Sequence, residues 1–225
     1  METNRCHHGL ASVVGLVLWR VVGATLAASL FLTGAAAQGT TAPAGLGCDG
    51  QPARWVHNLS LSADGQLLAF ESPSTDLVPG DTNNAPDIFV QDRASGRTTR
   101  VSVSSSGAQS HGLATWPSLS ADGRHVAFMS DAPDLVPGDT NGRMDVFIHD
   151  RRSGRTRLGS VSSLGLQPDH HSMRPSLSGD GRLVAFESLA SNLVVGDTNG
   201  AQDVFVHDLL TGATWRVSVG PGGLQ

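Results

Sequence analysis

One spacing constrains this chain more than anything else in it. Asp64-Gly65, Asp122-Gly123 and Asp180-Gly181 recur every 58 residues, as do Phe70, Phe128 and Phe186. The same interval separates Gly80-Asp81-Thr82-Asn83, Gly138-Asp139-Thr140-Asn141 and Gly196-Asp197-Thr198-Asn199. It also separates Asp87, Asp145 and Asp203, then Phe89, Phe147 and Phe205. Aligned without gaps, units 110–167 and 168–225 share 31 of 58 positions, and a first unit occupies 52–109. A gapless period of this length marks a supersecondary unit that stacks on its neighbours instead of folding alone.

Each unit reads as four short strands. In the second unit, 117–120 is a strand that ends at the tight turn Asp122-Gly123, whose residues supply left-handed backbone. Residues 124–130 and 145–150 follow as strands that are apolar on both pleat faces, and 156–162 is a fourth, after a turn at Gly154. A strand apolar on both faces is covered on both. The load of 27 Gly and 11 Pro, with 5% aromatics and no Tyr, favours short strands and turns over helices. At 39% hydrophobic and 16% charged, the chain is too apolar for disorder and too mixed for a multi-span membrane protein. The expected fold is all-β: a partial β-propeller of three four-stranded antiparallel blades, 52–109, 110–167 and 168–225. A sandwich has no reason for so strict a period.

These units resemble the WD-like propeller repeats of the TolB family. The resemblance rests on 119–124 (LSADGR), 126–128 (VAF), 145–150 (DVFIHD) and Gly154 with Thr156, each recurring in units one and three. It spans 52–225 and implies a propeller. Such repeats serve periplasmic scaffolds, cell-surface proteins and the gating domains of some peptidases, so the resemblance implies no single activity.

Strand order puts the two tight turns at one end of each blade. The long connection 131–144 and the inter-blade link 163–174 lie at the other. That elaborated end is the candidate functional surface, because binding residues concentrate on loops held by a scaffold. It carries Asp81, Asn83 and Asp87, then Asp139, Asn141 and Asp145, then Asp197, Asn199 and Asp203. Alternating oxygen ligands beside a glycine suit calcium. Ala85, Arg143 or Ala201 stands where a further ligand belongs, and no Glu closes the site. On that ligand count the Asp and Asn side chains are expected to hold the turn, with no cofactor required and calcium as the alternative.

His149 and His207 each precede an Asp, but adjacent strand residues face opposite ways, so neither pair is a dyad. Both are expected to reach backbone partners. His111, His170 and His171 sit on the inter-blade links with no fixed carboxylate, a poor transition-metal set. The chain has no Gly-x-Ser-x-Gly, Walker loop or His-Glu-x-x-His, so no catalytic residue is assigned. All 15 basic residues are Arg, and with 20 acids the balance is −5, which disfavours nucleic acid.

Residues 1–37 read as a signal peptide: Arg5 and Arg20, an uncharged run from Val21 to Leu32, then Ala35-Ala36-Ala37. Export would leave Gln38 as the N-terminus, a linker at 38–51 and Cys48 as a lone thiol. No stable membrane span is expected after processing. The leading expectation is an exported, non-enzymatic propeller module, periplasmic or secreted, that binds a protein or a cell-envelope component. The alternatives are the propeller part of a hydrolase or lyase whose catalytic part is absent, and a calcium-stabilised surface module. Three blades are fewer than the about four to eight that close a ring. A stretch of a longer propeller, or a homodimer closing a six-blade ring, would complete it. The uncovered end faces are expected to show residues such as Leu68, Phe70 and Ile88, or Val184, Phe186 and Val204.

Overall fold

The computed structural model describes residues 55–221. Every regular element among them is a β-strand. The first sheet holds β1 (His57–Leu61), β2 (Leu67–Ser72), β3 (Asp87–Asp92) and β4 (Thr98–Arg100). The second holds β5 (Ala114–Leu119), β6 (His125–Ser130), β7 (Asp145–Asp150) and β8 (Arg155–Leu158). The third holds β9 (Ser172–Leu177), β10 (Leu183–Ser188), β11 (Asp203–Asp208) and β12 (Thr214–Arg216). Each sheet is antiparallel with neighbours in chain order, the up-and-down blade that the period predicts. The signal peptide and linker lie outside the described residues.

The central strands of the first two blades are covered on both faces. In β7 only the last residue is not buried. Phe128 stacks on Phe147 at 5.9 Å between ring centroids, and the Phe70–Phe89 and Phe186–Phe205 pairs repeat the contact. These rings lie on the leading face of each blade. The trailing face carries smaller side chains: Ala69, Ile88 and Val90 in the first blade, and Ala127, Val146 and Ile148 in the second. Each apolar layer forms where one blade's trailing face meets the next blade's leading rings.

A repeated polar joint accompanies each layer. Thr156 donates its hydroxyl to the Val103 carbonyl, and its N–H to Ser105 Oγ at 3.0 Å. One blade later, Thr214 does the same with Val161 and Ser163. The threonine hydroxyl's hydrogen is committed to a carbonyl, so His149 Nδ1 must donate to Thr156 Oγ1, at 2.9 Å. His207 repeats this with Thr214 at 2.8 Å. The expected backbone partner of these histidines is therefore a side-chain hydroxyl, which passes the bond on to backbone. Burial lowers both imidazole pKa values, consistent with neutral rings.

Two strand boundaries differ from expectation. β5 starts at Ala114 because it passes through a bulge between Thr115 and Ser118, where Trp116 has φ 56°. A bulge breaks the alternation by which a strand is recognised. β8 ends at Leu158, because the Val146 carbonyl accepts from both Gly159 and Ser160 and the ladder stops there.

The expected outer faces also need correction. Leu68, Phe70, Ile88, Val184 and Phe186 are all buried. Ile88 is on the trailing face, against the second blade, and Val184 and Phe186 are on the leading face, also against the second blade. Leu68 and Phe70 cluster with Leu77 and Phe89. Val204 alone of the six is exposed. Position by position, Ile88 and Val146 are 0% exposed where Val204 is 36%, and Val101 is 2% where Val217 is 44%. The third blade's trailing face is thus the uncovered one among the described residues. A matched pair of substitutions reads this out. Val146→Thr, which puts a hydroxyl in the buried layer, should cost roughly 1–3 kcal/mol in a denaturant melt. Val204→Thr should stay within about 0.5 kcal/mol.

Candidate functional site

The three Asp-Thr-Asn loops have the same frame. Asn83, Asn141 and Asn199 each accept the N–H two residues on, at 3.0, 2.9 and 2.9 Å, closing an Asx turn. Their amides donate to Asp87, Asp145 and Asp203 at 3.2, 2.8 and 3.2 Å. The second aspartate is anchored from strand four's end by Ser102, Ser160 or Ser218. Asn83 and Asn141 also reach the link into the next blade, at the Ser110 and Pro168 carbonyls. Turn-holding is what these side chains do, as their residue types predict.

What differs between the loops is the counter-charge. In the first, Arg100 Nη1 lies 3.5 Å from Asp81 and 3.6 Å from Asp87. Gln109 also donates to both, at 2.8 and 3.0 Å. In the third, Arg216 Nη1 lies 3.1 Å from Asp197 and 3.2 Å from Asp203. In the second, the position of those arginines is Leu158, which packs into the apolar layer. Gln167 donates to the Gly138 carbonyl at 2.7 Å instead. Asp139 and Asp145, 9% and 0% exposed, have no cationic partner among the described residues.

Burial, with the Asp139 charge adding to it, pushes the Asp145 carboxyl up to about 6 against hydrogen bonds from Asn141 and Ser160. Burial raises Asp139 too. At Asp203, burial also acts upward, but hydrogen bonds from Ser218, Asn199 and Arg216 bring the net shift below the usual range. The arginine that sets these loops apart lies 17 residues beyond its aspartates' Gly-Asp-Thr-Asn segment (Asn83 to Arg100), so the motif alone does not signal it.

The histidines of the links do not converge. His111 pairs with Asp134. His171 Nδ1 accepts the Met144 N–H at 2.9 Å, and His170 Nδ1 accepts the His171 N–H at 2.8 Å. Among the described residues, no three His, Cys, Asp or Glu are placed to hold a metal ion.

A second row of residues was hidden from sequence reasoning. Asn58, Trp116 and Arg174 occupy equivalent bulge positions in β1, β5 and β9, all in left-handed backbone at φ 48°, 56° and 50°. For an indole this is a costly conformation. The first strands lie side by side, with the Leu119 and Leu177 N–H groups donating to Ser60 and Ser118 Oγ at 2.9 Å each. Arg174 lies over the Trp116 ring, 5.6 Å from its centroid. Glu71 accepts from Asn58 at 2.7 Å and from the Trp116 N–H at 3.3 Å, and Glu187 accepts from Arg174 at 3.0 Å. Trp116 remains 43% exposed. One sequence signal pointed here: all 31 identities between the last two units fall after 110–116 and 168–174, which share none.

No family model and no curated protein sequence matches the chain. Solved structures do. TolB from Acinetobacter baumannii is 18% identical with a TM-score of 0.46, over 76% of this chain and 33% of that one. A putative TolB from Agrobacterium tumefaciens is 18% identical with a TM-score of 0.48, over 73% and 49%. The β-propeller domain of the Trilobed protease from Pyrococcus furiosus is 13% identical with a TM-score of 0.44, over 72% and 42%. The chain is similar to these proteins in fold, and spans a third to a half of their length.

The loop asymmetry has a pH signature. The folded state holds the Asp145 proton more tightly than the unfolded chain, whose Asp pKa is about 3.9. Stability from this group is therefore full below about pH 4, and falls by roughly 3 kcal/mol as the pH rises through about 6. Asp150 and Asp208, held low by Arg124 and Arg182, act only below that window. Burial raises Asp87 as well, and the lowered His149 and His207 act in the opposite direction over the same window, so the signature is read as a difference. In denaturant melts from pH 4 to 7, the stability of Asp145→Asn relative to the parent chain should rise by about 3 kcal/mol.

Proposed function

We propose that this chain is an exported, non-enzymatic β-propeller module that binds a protein or cell-envelope component through the row Asn58, Trp116 and Arg174 and the adjoining links. The supporting observation is the contrast within the repeat. The strand and turn frame repeats from unit to unit, with 31 of 58 positions identical in the last two, while one bulge position holds an amide, an indole and a guanidinium in the same strained backbone. Strain maintained at a position whose side chain changes favours recognition over packing. Aromatic and Arg side chains dominate interface energetics. Export rests on the signal-like segment 1–37. The uncovered trailing face of the third blade suits coverage by a further blade, from a longer chain or from a second copy.

To test this, the exported chain, expected to begin at Gln38 by N-terminal sequencing, is immobilised and exposed to envelope fractions of its host. Trp116→Ala with Arg174→Ala should cut retention of the bound component at least about tenfold, with Tm nearly unchanged. Turnover of peptides or pectin-like glycans by the pure chain would overturn the non-enzymatic reading.

A second reading, calcium support, is favoured at the middle blade alone. There Leu158 leaves Asp139 and Asp145 without the guanidinium that serves the flanking pairs. Calcium at millimolar levels should raise the Tm of the chain by a few degrees, through binding to the folded state only. Leu158→Arg, which supplies an internal cation, should abolish that response; equal responses in both proteins would sink the reading.

A further inference from the structure

The trimmed end of the middle blade carries charge that the proposed function does not use. Arg124, Arg151, Arg152, Arg155 and Arg157 all lie there, and the two other blades have no such concentration. At the five equivalent positions the first blade has Gln66, Arg93, Ala94, Arg97 and Thr99, and the third has Arg182, Leu209, Leu210, Ala213 and Trp215. Two open, shallow concavities lie among the five arginines. One, of about 300 Å³, is lined by Arg124, Arg155 and Arg157 with His125, Ser153 and Asp150, over a floor of Ile148. The other, of about 370 Å³, is lined by Arg124, Arg151 and Arg152 with Asp122 and Gly123. Arg124 is common to both.

The charges are not balanced locally. Asp150 is taken by Arg124 in a two-pronged pair, at 3.0 and 2.7 Å. The Asp122 carboxylate is turned into its own hairpin, accepting from Ser120 and from the Arg124 N–H. Arg151 and Arg157 are half-buried and donate to backbone carbonyls, of Gly123 at 2.7 Å and of Leu209 at 3.1 Å. The ion pairs of this end are Arg124–Asp150 and Arg182–Asp208, with His125 Nε2 a further 3.9 Å from Asp150. Arg152 and Arg155 take part in none of them. Burial, then repulsion from Arg155, lowers the Arg157 pKa. His125 is lowered by burial and by the charges of Arg124 and Arg157, against the pull of Asp150. The five guanidinium groups outnumber the carboxylates that act on them, Asp122, Asp150 and, on Arg151, Asp92; the surplus repels, and an anion between the arginines relieves that repulsion. Guanidinium forks match phosphate oxygens two at a time, and the Ser153 hydroxyl adds a neutral donor on the same wall.

We propose that these two adjoining concavities form a binding site for a phosphate-bearing ligand, held chiefly by Arg155, Arg157 and Arg124, with Arg152 on the far side. The overall charge of −5 disfavours tracking along a nucleic-acid backbone and leaves this as a local site. The site is at the opposite end of the blade from the Asp-Thr-Asn loops, and does not rest on the reading given for the strand-one row.

Calorimetry and thermal melts with inorganic phosphate, against chloride at matched ionic strength, test it on the full chain. Phosphate should bind and raise Tm where chloride does not. Arg155→Gln, whose side chain makes no described contact, should weaken phosphate at least about tenfold, the value of one charge-assisted hydrogen bond. Arg97→Gln, the same position one blade earlier, should leave it unchanged. Equal effects of phosphate and chloride, or equal losses in the two variants, would overturn the proposal. Two further arms identify the source. Co-sedimentation with phosphatidylglycerol but not phosphatidylcholine vesicles, lost in Arg155→Gln, assigns a lipid headgroup. Phosphate binding without co-sedimentation assigns a soluble phosphate ester.

Discussion

Every sheet in this protein has two apolar faces, and a four-stranded sheet cannot hide both by itself. That requirement governs the rest. It fixes the division of labour between a leading face of stacked Phe rings and a trailing face of Ala, Val and Ile, because large side chains seat only against small ones at close packing. It also explains why polar groups at the joint are bonded in series. A Thr hydroxyl at the edge of an apolar layer needs a partner, and the neighbouring blade's carbonyl supplies one. The exception is Thr98, the first blade's equivalent, whose buried hydroxyl has no hydrogen-bond partner among the described residues.

The elaborated and trimmed ends solve charge in different ways. At the elaborated end, pairs of aspartates shape the turn and bring negative charge into the protein. Arg100 and Arg216 stand beside two of the pairs, and the third has no arginine at that position. At the trimmed end the excess is positive and concentrated on one blade. Both departures fall in the middle unit, whose layers are covered on both sides. A well-packed unit can carry electrostatic cost that a marginal one cannot, since the packing stabilises it independently.

Much of the fold was legible because the period and the two-faced strands are local signals. Asp-Gly at 122–123 declared its hairpin, and the Phe pairs declared the core. The bulge at Trp116 was not legible, since left-handed backbone at an indole contradicts local preference. The turn role of Asn141 was legible from its type; the missing counter-ion at Leu158 was not, because it depends on a contact across the blade. Which face of an end blade is uncovered also escaped the sequence. Alternation gives two faces and does not say which one the neighbouring blade covers.

The joint between blades is the same each time: Thr156 with Val103 and Ser105, then Thr214 with Val161 and Ser163. A gene encoding such a chain can gain or lose whole units by recombination between its own copies. Each product inherits joints that already fit. The number of blades is then free to drift over evolutionary time in whole steps, while a single altered codon inside a joint is felt at one boundary only.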